Sequence, residues 1–134
     1  MTAFVSMTPL LRRVLWADAL ASAGTGALLV LGASSLAQWL GLPATLLMLA
    51  GASLLPFAAL VAWLASRQRL PRAGLWALVA YNAMWVLDSA LLLVSGWVQP
   101  SLLGQAFVVL QAVVVGALAE LQYLGLRRAS PAVA

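Results

Sequence analysis

Charge in this chain is confined to the ends of long apolar stretches, and this pattern limits the fold more than any other feature. The 134 residues include seven arginines, no lysine and only three acidic residues. The arginines flank four apolar stretches, each long enough for a helix to cross a hydrocarbon core of about 30 Å at about 1.5 Å per residue. The mean hydropathy of +1.06 lies far above that of water-soluble domains. We therefore predict an all-α integral membrane protein.

The four stretches predict a bundle of four membrane-spanning helices in one domain that covers residues 1–134. The first stretch superficially resembles a signal peptide, but it is longer than the roughly 7 to 15 apolar residues of such a peptide and contains Asp18. We expect it to be retained as a helix. Pro56 predicts a kink in the second helix, and residues 34–43, with Trp39, predict a loop at the outer face. The predicted helices are about 14–36, 42–66, 74–97 and 101–126.

The arginines predict how the chain is oriented in the membrane. Short loops that carry arginine remain on the cytoplasmic side, so both termini and the loop between the second and third helices are expected there. This orientation accounts for the basic residues, so we expect no nucleic-acid partner. It also predicts a multi-pass protein of the bacterial inner membrane. Anionic lipid headgroups are expected partners of the same side chains. They are Arg12, Arg13, Arg67, Arg69, Arg72, Arg127 and Arg128.

The third apolar stretch, Gly74 to Trp97, contains the most informative polar residue, Asp88. A carboxylate at the centre of a bilayer costs about 2.5 to 3.5 kcal/mol, so Asp88 is expected to face protein or water. Counting residues from the membrane boundaries places Gln111 of the fourth helix at the same depth, within hydrogen-bond reach. The candidate intramembrane site is Asp88, Gln111, Trp85 and Ser89.

Two interpretations of Asp88 remain open at this stage. As a neutral acid it would donate a hydrogen bond between helices, which is worth about 0.6 kcal/mol on average. Alternatively, it would take up and release a proton in a transport cycle. A second, inner polar layer is predicted nearer the cytoplasm, within reach of arginines that extend inward. It consists of Asp18, Asn82 and Glu120, whereas Gln122 is expected near the inner surface.

A weak internal similarity suggests that the bundle consists of two repeated antiparallel hairpins. Residues 18–32 align with residues 82–96, which places Asp18 on Asn82 and Thr25 on Ser89. Two hairpins in the same orientation would be related by an axis along the membrane normal. Small residues along the first helix, together with Ala112 and Gly116 on the fourth, favour close helix packing. We therefore expect a homo-oligomer or a larger membrane complex.

Residue types that are absent argue against catalysis. The chain contains no cysteine and no histidine, which removes thiolate chemistry and the usual ligands of transition metals. It also lacks the phosphate-cradling loops and nucleophile motifs of common enzymes. We expect no enzymatic activity and no cofactor. A small-molecule substrate is not indicated by any motif.

Four segments resemble parts of uncharacterised small bacterial four-helix inner-membrane proteins. The resemblance implies the four-helix topology, and it implies no activity or functional residue. The lack of enzyme motifs and the structural interpretation of Asp88 favour a non-enzymatic accessory or structural subunit. The alternative is a small proton-coupled transporter or channel that uses Asp88. The segments are RRVLWADALAS, LLPFAALVAW, YNAMWVLDSALLLVSGW and QAVVVGALAELQYLGLRR.

Overall fold

The computed structural model describes residues 3–131, in which five helices and two short strands are present. Four of the helices are long and apolar enough to cross a membrane, in agreement with the predicted all-α membrane protein. These are α1, α3, α4 and α5. In chain order the elements are β1 (Phe4–Ser6), α1 (Pro9–Leu31), α2 (Ala33–Leu40), α3 (Ala44–Ala65), β2 (Arg69–Pro71), α4 (Arg72–Val94) and α5 (Leu102–Arg128).

Helix α1 begins and ends earlier than the predicted range 14–36. The Thr8 side chain accepts a hydrogen bond from the Leu11 amide at 3.1 Å, and Pro9 occupies the first turn, where its missing donor is not needed. The predicted outer loop, residues 34–43, is mostly helical instead, because α2 follows directly after Gly32. Helix α2 ends at Leu40 and is capped by Gly41, whose φ of 68° is easily adopted only without a side chain.

A two-stranded antiparallel sheet, which no pattern in the sequence predicted, closes one end of the bundle. β1 pairs with β2 in the register Val5 opposite Leu70, and both side chains are fully buried against the core. The Ser6 amide also donates to the Ser130 carbonyl at 2.9 Å. The N-terminal segment, the loop between α3 and α4, and the C-terminal segment therefore meet at this end, which we call the sheet end.

The four long helices pack as two pairs, α1 with α3 and α4 with α5. Within the first pair the backbones approach closely, since a Cβ added to Gly51 would lie 2.7 Å from the Gly26 carbonyl oxygen. Two successive hairpins give this pairing, although duplication of the sequence stays a prediction. Near the sheet end the pairs meet in one apolar cluster, whose larger members are Leu11, Leu15, Phe57, Val61, Leu75, Leu78 and Leu126.

Helix α2 joins the two pairs at the opposite end, which we call the α2 end. The Ser101 amide donates to the Leu40 carbonyl at 2.9 Å, and its hydroxyl donates to the Trp39 carbonyl at 2.7 Å. The start of α5 is thereby tied to the end of α2, and Gly104 lies directly against the Leu40 carbonyl. The bundle is fastened at both ends, and the space between the pairs lies in the middle.

Candidate functional site between the helix pairs

Two adjoining cavities lie between the helix pairs, and together we call them the groove. The inner cavity, towards the sheet end, measures about 210 Å³, and the outer cavity, towards the α2 end, about 280 Å³. Both are lined mainly by apolar side chains and by a few polar ones. Four residues line both cavities, so the two lie side by side: Thr25, Trp85, Phe107 and Gln111.

Asp18 accepts three hydrogen bonds from neutral side chains at the inner end of the groove. The Ser22 hydroxyl donates to Oδ1 at 3.1 Å, while Asn82 Nδ2 at 2.9 Å and Gln122 Nε2 at 2.6 Å donate to Oδ2. Asn82 Nδ2 also donates to Gln122 Oε1 at 3.0 Å. All four side chains are buried, and Gln122 is 0% exposed. This network connects α1 to α4 and α5, and so it joins one helix pair to the other.

The network contains two of the three residues of the predicted inner layer, Asp18 and Asn82, and replaces the third. Glu120 is exposed and takes no part, whereas Gln122, expected near the surface, lies at the centre. The reason is rotation about the α5 axis. Gln111 and Gln122 are eleven residues apart, about three turns, and face the groove together. Glu120 is nine residues from Gln111, about 180° away on the opposite face.

Three of the four residues of the predicted intramembrane site do come together. Trp85 Nε1 donates to Gln111 Oε1 at 2.5 Å, and Gln111 Nε2 donates to the Ser89 hydroxyl and to the Val108 carbonyl, each at 2.9 Å. The Ser89 hydroxyl in turn donates to the Trp85 carbonyl at 2.8 Å. Both amide hydrogens of Gln111 are therefore already used. This second network joins α4 to α5 within one pair.

The fourth residue, Asp88, does not join this network. It is exposed, it lines the outer cavity, and none of the hydrogen bonds within residues 3–131 involves it. Counting depth along the helices placed Asp88 level with Gln111 but ignored rotation. Trp85 and Ser89 are four residues apart and share the α4 face that meets α5, while Asp88 lies at the edge of that face. Asp88 therefore does not form the predicted hydrogen bond to Gln111 between α4 and α5.

Aromatic rings line one wall of the groove beside these networks. The Tyr81 ring stacks on Phe57 with centroids 4.0 Å apart, and the Trp85 ring follows at 6.3 Å from Tyr81. Phe107 and Trp97 complete the aromatic lining, and Trp97, which lines the outer cavity, is 74% exposed. No arginine lines either cavity.

All seven arginines belong to segments at the sheet end, where the predicted headgroup contacts would lie. Several are held against neighbouring groups. The Arg67 guanidinium lies 5.1 Å from the Trp63 ring centroid, and the Arg12 guanidinium donates to the Arg67 carbonyl at 3.2 Å. Arg127 lies 5.8 Å from the Tyr123 ring centroid. These contacts leave the cationic groups at one end of the molecule and the carboxylates Asp18 and Asp88 in the groove.

The groove therefore offers binding contacts more readily than reactive groups. Within residues 3–131 no three His, Cys, Asp or Glu side chains are grouped closely enough to hold a metal ion. Comparison with protein-family models, with curated proteins and with solved structures gives no match. The function must be argued from the groove itself.

Proposed function

We propose that this chain is a non-enzymatic accessory protein of the membrane that binds a small membrane-soluble molecule in the groove between its helix pairs. The observation that supports this most directly is the composition of the groove. It has apolar and aromatic walls with a few polar groups placed between them, which is the usual make-up of a small-molecule site. The outer cavity, about 280 Å³, is slightly smaller than the roughly 300 Å³ at which sites for drug-sized ligands begin, so it suits a smaller molecule.

The polar networks support this proposal because they hold the groove in a fixed shape before any ligand binds. The Asp18 network holds the two pairs in a fixed relation, since it combines residues from three helices. No buried polar side-chain atom in the described part of the chain lacks a partner, so the groove does not need a ligand in order to fold. A preformed groove lowers the conformational cost of binding.

Substituted cysteines test whether the groove admits small molecules, because the native chain contains no cysteine. Thr25→Cys places a thiol where the two cavities join, and Leu28→Cys places one on the exposed face of the same helix, outside both cavities. We expect a water-soluble methanethiosulfonate reagent to label Thr25→Cys at least about tenfold faster, because the reacting thiolate needs contact with a polar medium. Equal, slow labelling at both positions would contradict an accessible groove.

The same approach tests the orientation that we infer, a bacterial inner-membrane protein with both termini in the cytoplasm. The seven arginines at the sheet end support this orientation. Gln68→Cys, in the loop between α3 and α4, should react only after the membrane is permeabilised. Gln99→Cys, in the loop before α5, should react in intact cells. The opposite order would reverse the proposed topology.

A transporter or channel that uses Asp88 is the second candidate. It is supported by the position of Asp88, which is exposed at the outer cavity and has no hydrogen-bond partner within residues 3–131. In proteoliposomes with an imposed pH gradient and an internal pH-sensitive dye, the wild type should then equilibrate faster than Asp88→Asn, because an amide does not release a proton. Equal rates would count against this candidate and leave the accessory role.

Contact with the lipid bilayer follows from the apolar outer faces of the helices. Large apolar side chains are exposed on all four long helices, for example Leu20 at 70% and Leu110 at 67%. We further propose assembly into a homo-oligomer or a larger complex, for which the exposed apolar faces of the four long helices provide the contact surface.

A further inference from the structure

We propose that the outer cavity is a binding site for a small organic cation with an apolar body, such as an aryl or alkyl ammonium, whose charge is neutralised by Asp88. This inference rests on the proposed function and names the class of ligand. The cavity combines one carboxylate with three aromatic side chains, Trp85, Trp97 and Phe107, and otherwise mainly apolar ones.

The first argument is charge complementarity. Asp88 lines the cavity without a cationic partner, because no arginine lines either cavity and the described hydrogen bonds do not involve Asp88. An unpaired carboxylate in a membrane-spanning helix is costly, so a cation that reaches it is favoured. The arginine side chains at the sheet end do not supply that charge within the cavity. The chain is net positive, +4, and yet its groove contains only acidic charge.

The second argument is the aromatic lining. The faces of tryptophan and phenylalanine rings attract organic cations, and quaternary ammonium groups are commonly recognised in this way. Trp85 is held in place by its hydrogen bond to Gln111, whereas Trp97 lines the same cavity and is largely exposed. One fixed ring and one exposed ring therefore line the cavity, and both are available to a bound cation.

The third argument separates Asp88 from the other groove carboxylate. Asp18 already accepts three hydrogen bonds and is 2% exposed, so a ligand would have to displace one of these donors. Asp88 is exposed and needs no such displacement. The organic cation is therefore assigned to the outer cavity, and the Asp18 network lies at the inner end of the groove.

A pair of nearly isosteric probes tests the assignment on the full chain in detergent micelles. Phenyltrimethylammonium and tert-butylbenzene have the same shape, but only the first is charged. Titration calorimetry should show saturable binding of the ammonium compound and none of the hydrocarbon. Saturable binding of both with similar affinity would overturn the role of charge.

Matched variants assign the charge to a residue. Asp88→Asn should weaken binding of phenyltrimethylammonium by at least about tenfold, because the neutral amide no longer attracts the ammonium charge in the apolar surroundings of the cavity. Asp88→Glu should retain most of it. Glu120→Gln removes the same formal charge from an exposed position outside both cavities and should leave affinity unchanged. Unchanged affinity in Asp88→Asn, or equal loss in Glu120→Gln, would refute the proposal.

The aromatic contribution has its own variant, Trp97→Leu, with Trp97→Phe as control. We expect Trp97→Leu to lose affinity for phenyltrimethylammonium and Trp97→Phe to retain it, because only phenylalanine keeps an aromatic face. If Asp88→Asn instead changes the oligomeric mass in mild detergent, Asp88 contacts a second copy of the chain and the cation site is overturned. If Thr25→Cys is readily labelled but no cation binds, the accessible groove stands and only this inference fails.

Discussion

Asp18→Leu is expected to destabilise the folded bundle by about 2 kcal/mol. The substitution removes the acceptor shared by Asn82 and Gln122, which are 3% and 0% exposed. Asn82 keeps its hydrogen bond to Gln122 Oε1, but Gln122 Nε2 loses its acceptor, and a buried donor without a partner costs about 1–3 kcal/mol. Relief of the cost of burying the carboxylate offsets part of this loss. Reversible unfolding in mixed micelles, followed by circular dichroism, measures the difference.

Asp18→Asn and Asp88→Leu are the controls for this prediction. An asparagine oxygen can accept from both amides while its NH₂ group faces the Ser22 hydroxyl, so Asp18→Asn should cost less than about 1 kcal/mol. Asp88→Leu removes a carboxylate that takes part in none of the described hydrogen bonds, and it should leave stability unchanged or raise it. If both leucine variants lose the same stability, the Asp18 network does not hold the helix pairs together.

Gly51→Ala is expected to separate α1 from α3 and to destabilise the protein by about 1–3 kcal/mol, as overpacking does. A Cβ at this position would lie 2.7 Å from the Gly26 carbonyl oxygen and 2.9 Å from Leu29 Cβ. A backbone carbonyl does not rotate away as the tip of a flexible side chain does. The helices must therefore move apart, and dispersion contacts along the whole interface weaken.

Gly24→Ala is the matched control, because a Cβ there meets nothing within 4 Å. Both substitutions gain the same intrinsic helix propensity, about 1 kcal/mol at most, so the difference between them reports the close approach alone. Thermal unfolding of both variants in the same detergent is the measurement. Equal melting temperatures would show that Gly51 is not the point of closest contact.

The four helices that are long and apolar enough to cross a membrane could be predicted from the sequence, because length and polarity are local properties. The length and polarity of each apolar stretch decide whether it crosses a bilayer, and α1, α3, α4 and α5 are long and apolar enough to do so. The arginines flank the ends of these stretches, so their grouping could also be predicted from the sequence. In the structure, the segments that carry them lie at one end of the bundle. The cytoplasmic location of that end stays a prediction. The eight-residue helix α2 was missed because its Gly-Leu-Pro boundary also suits a loop, and helix formation there depends on its contacts with α3 and α5.

The make-up of the polar site depended on tertiary structure, because it is set by rotation about the helix axes and by which helices become neighbours. Depth along the chain correctly placed Asp18 beside Asn82, but it could not distinguish Gln122 from Glu120, which differ by two residues in position and by about 200° in direction. The eleven-residue spacing of Gln111 and Gln122 was a signal that a helical projection would have shown. The exposure of Asp88 at the groove had no such signal, since pairing α1 with α3 and α4 with α5 is what leaves an open space beside it. Apolar helices pack with similar energy in several arrangements, and the close approach of Gly26 and Gly51, together with the Asp18 network, favours this one.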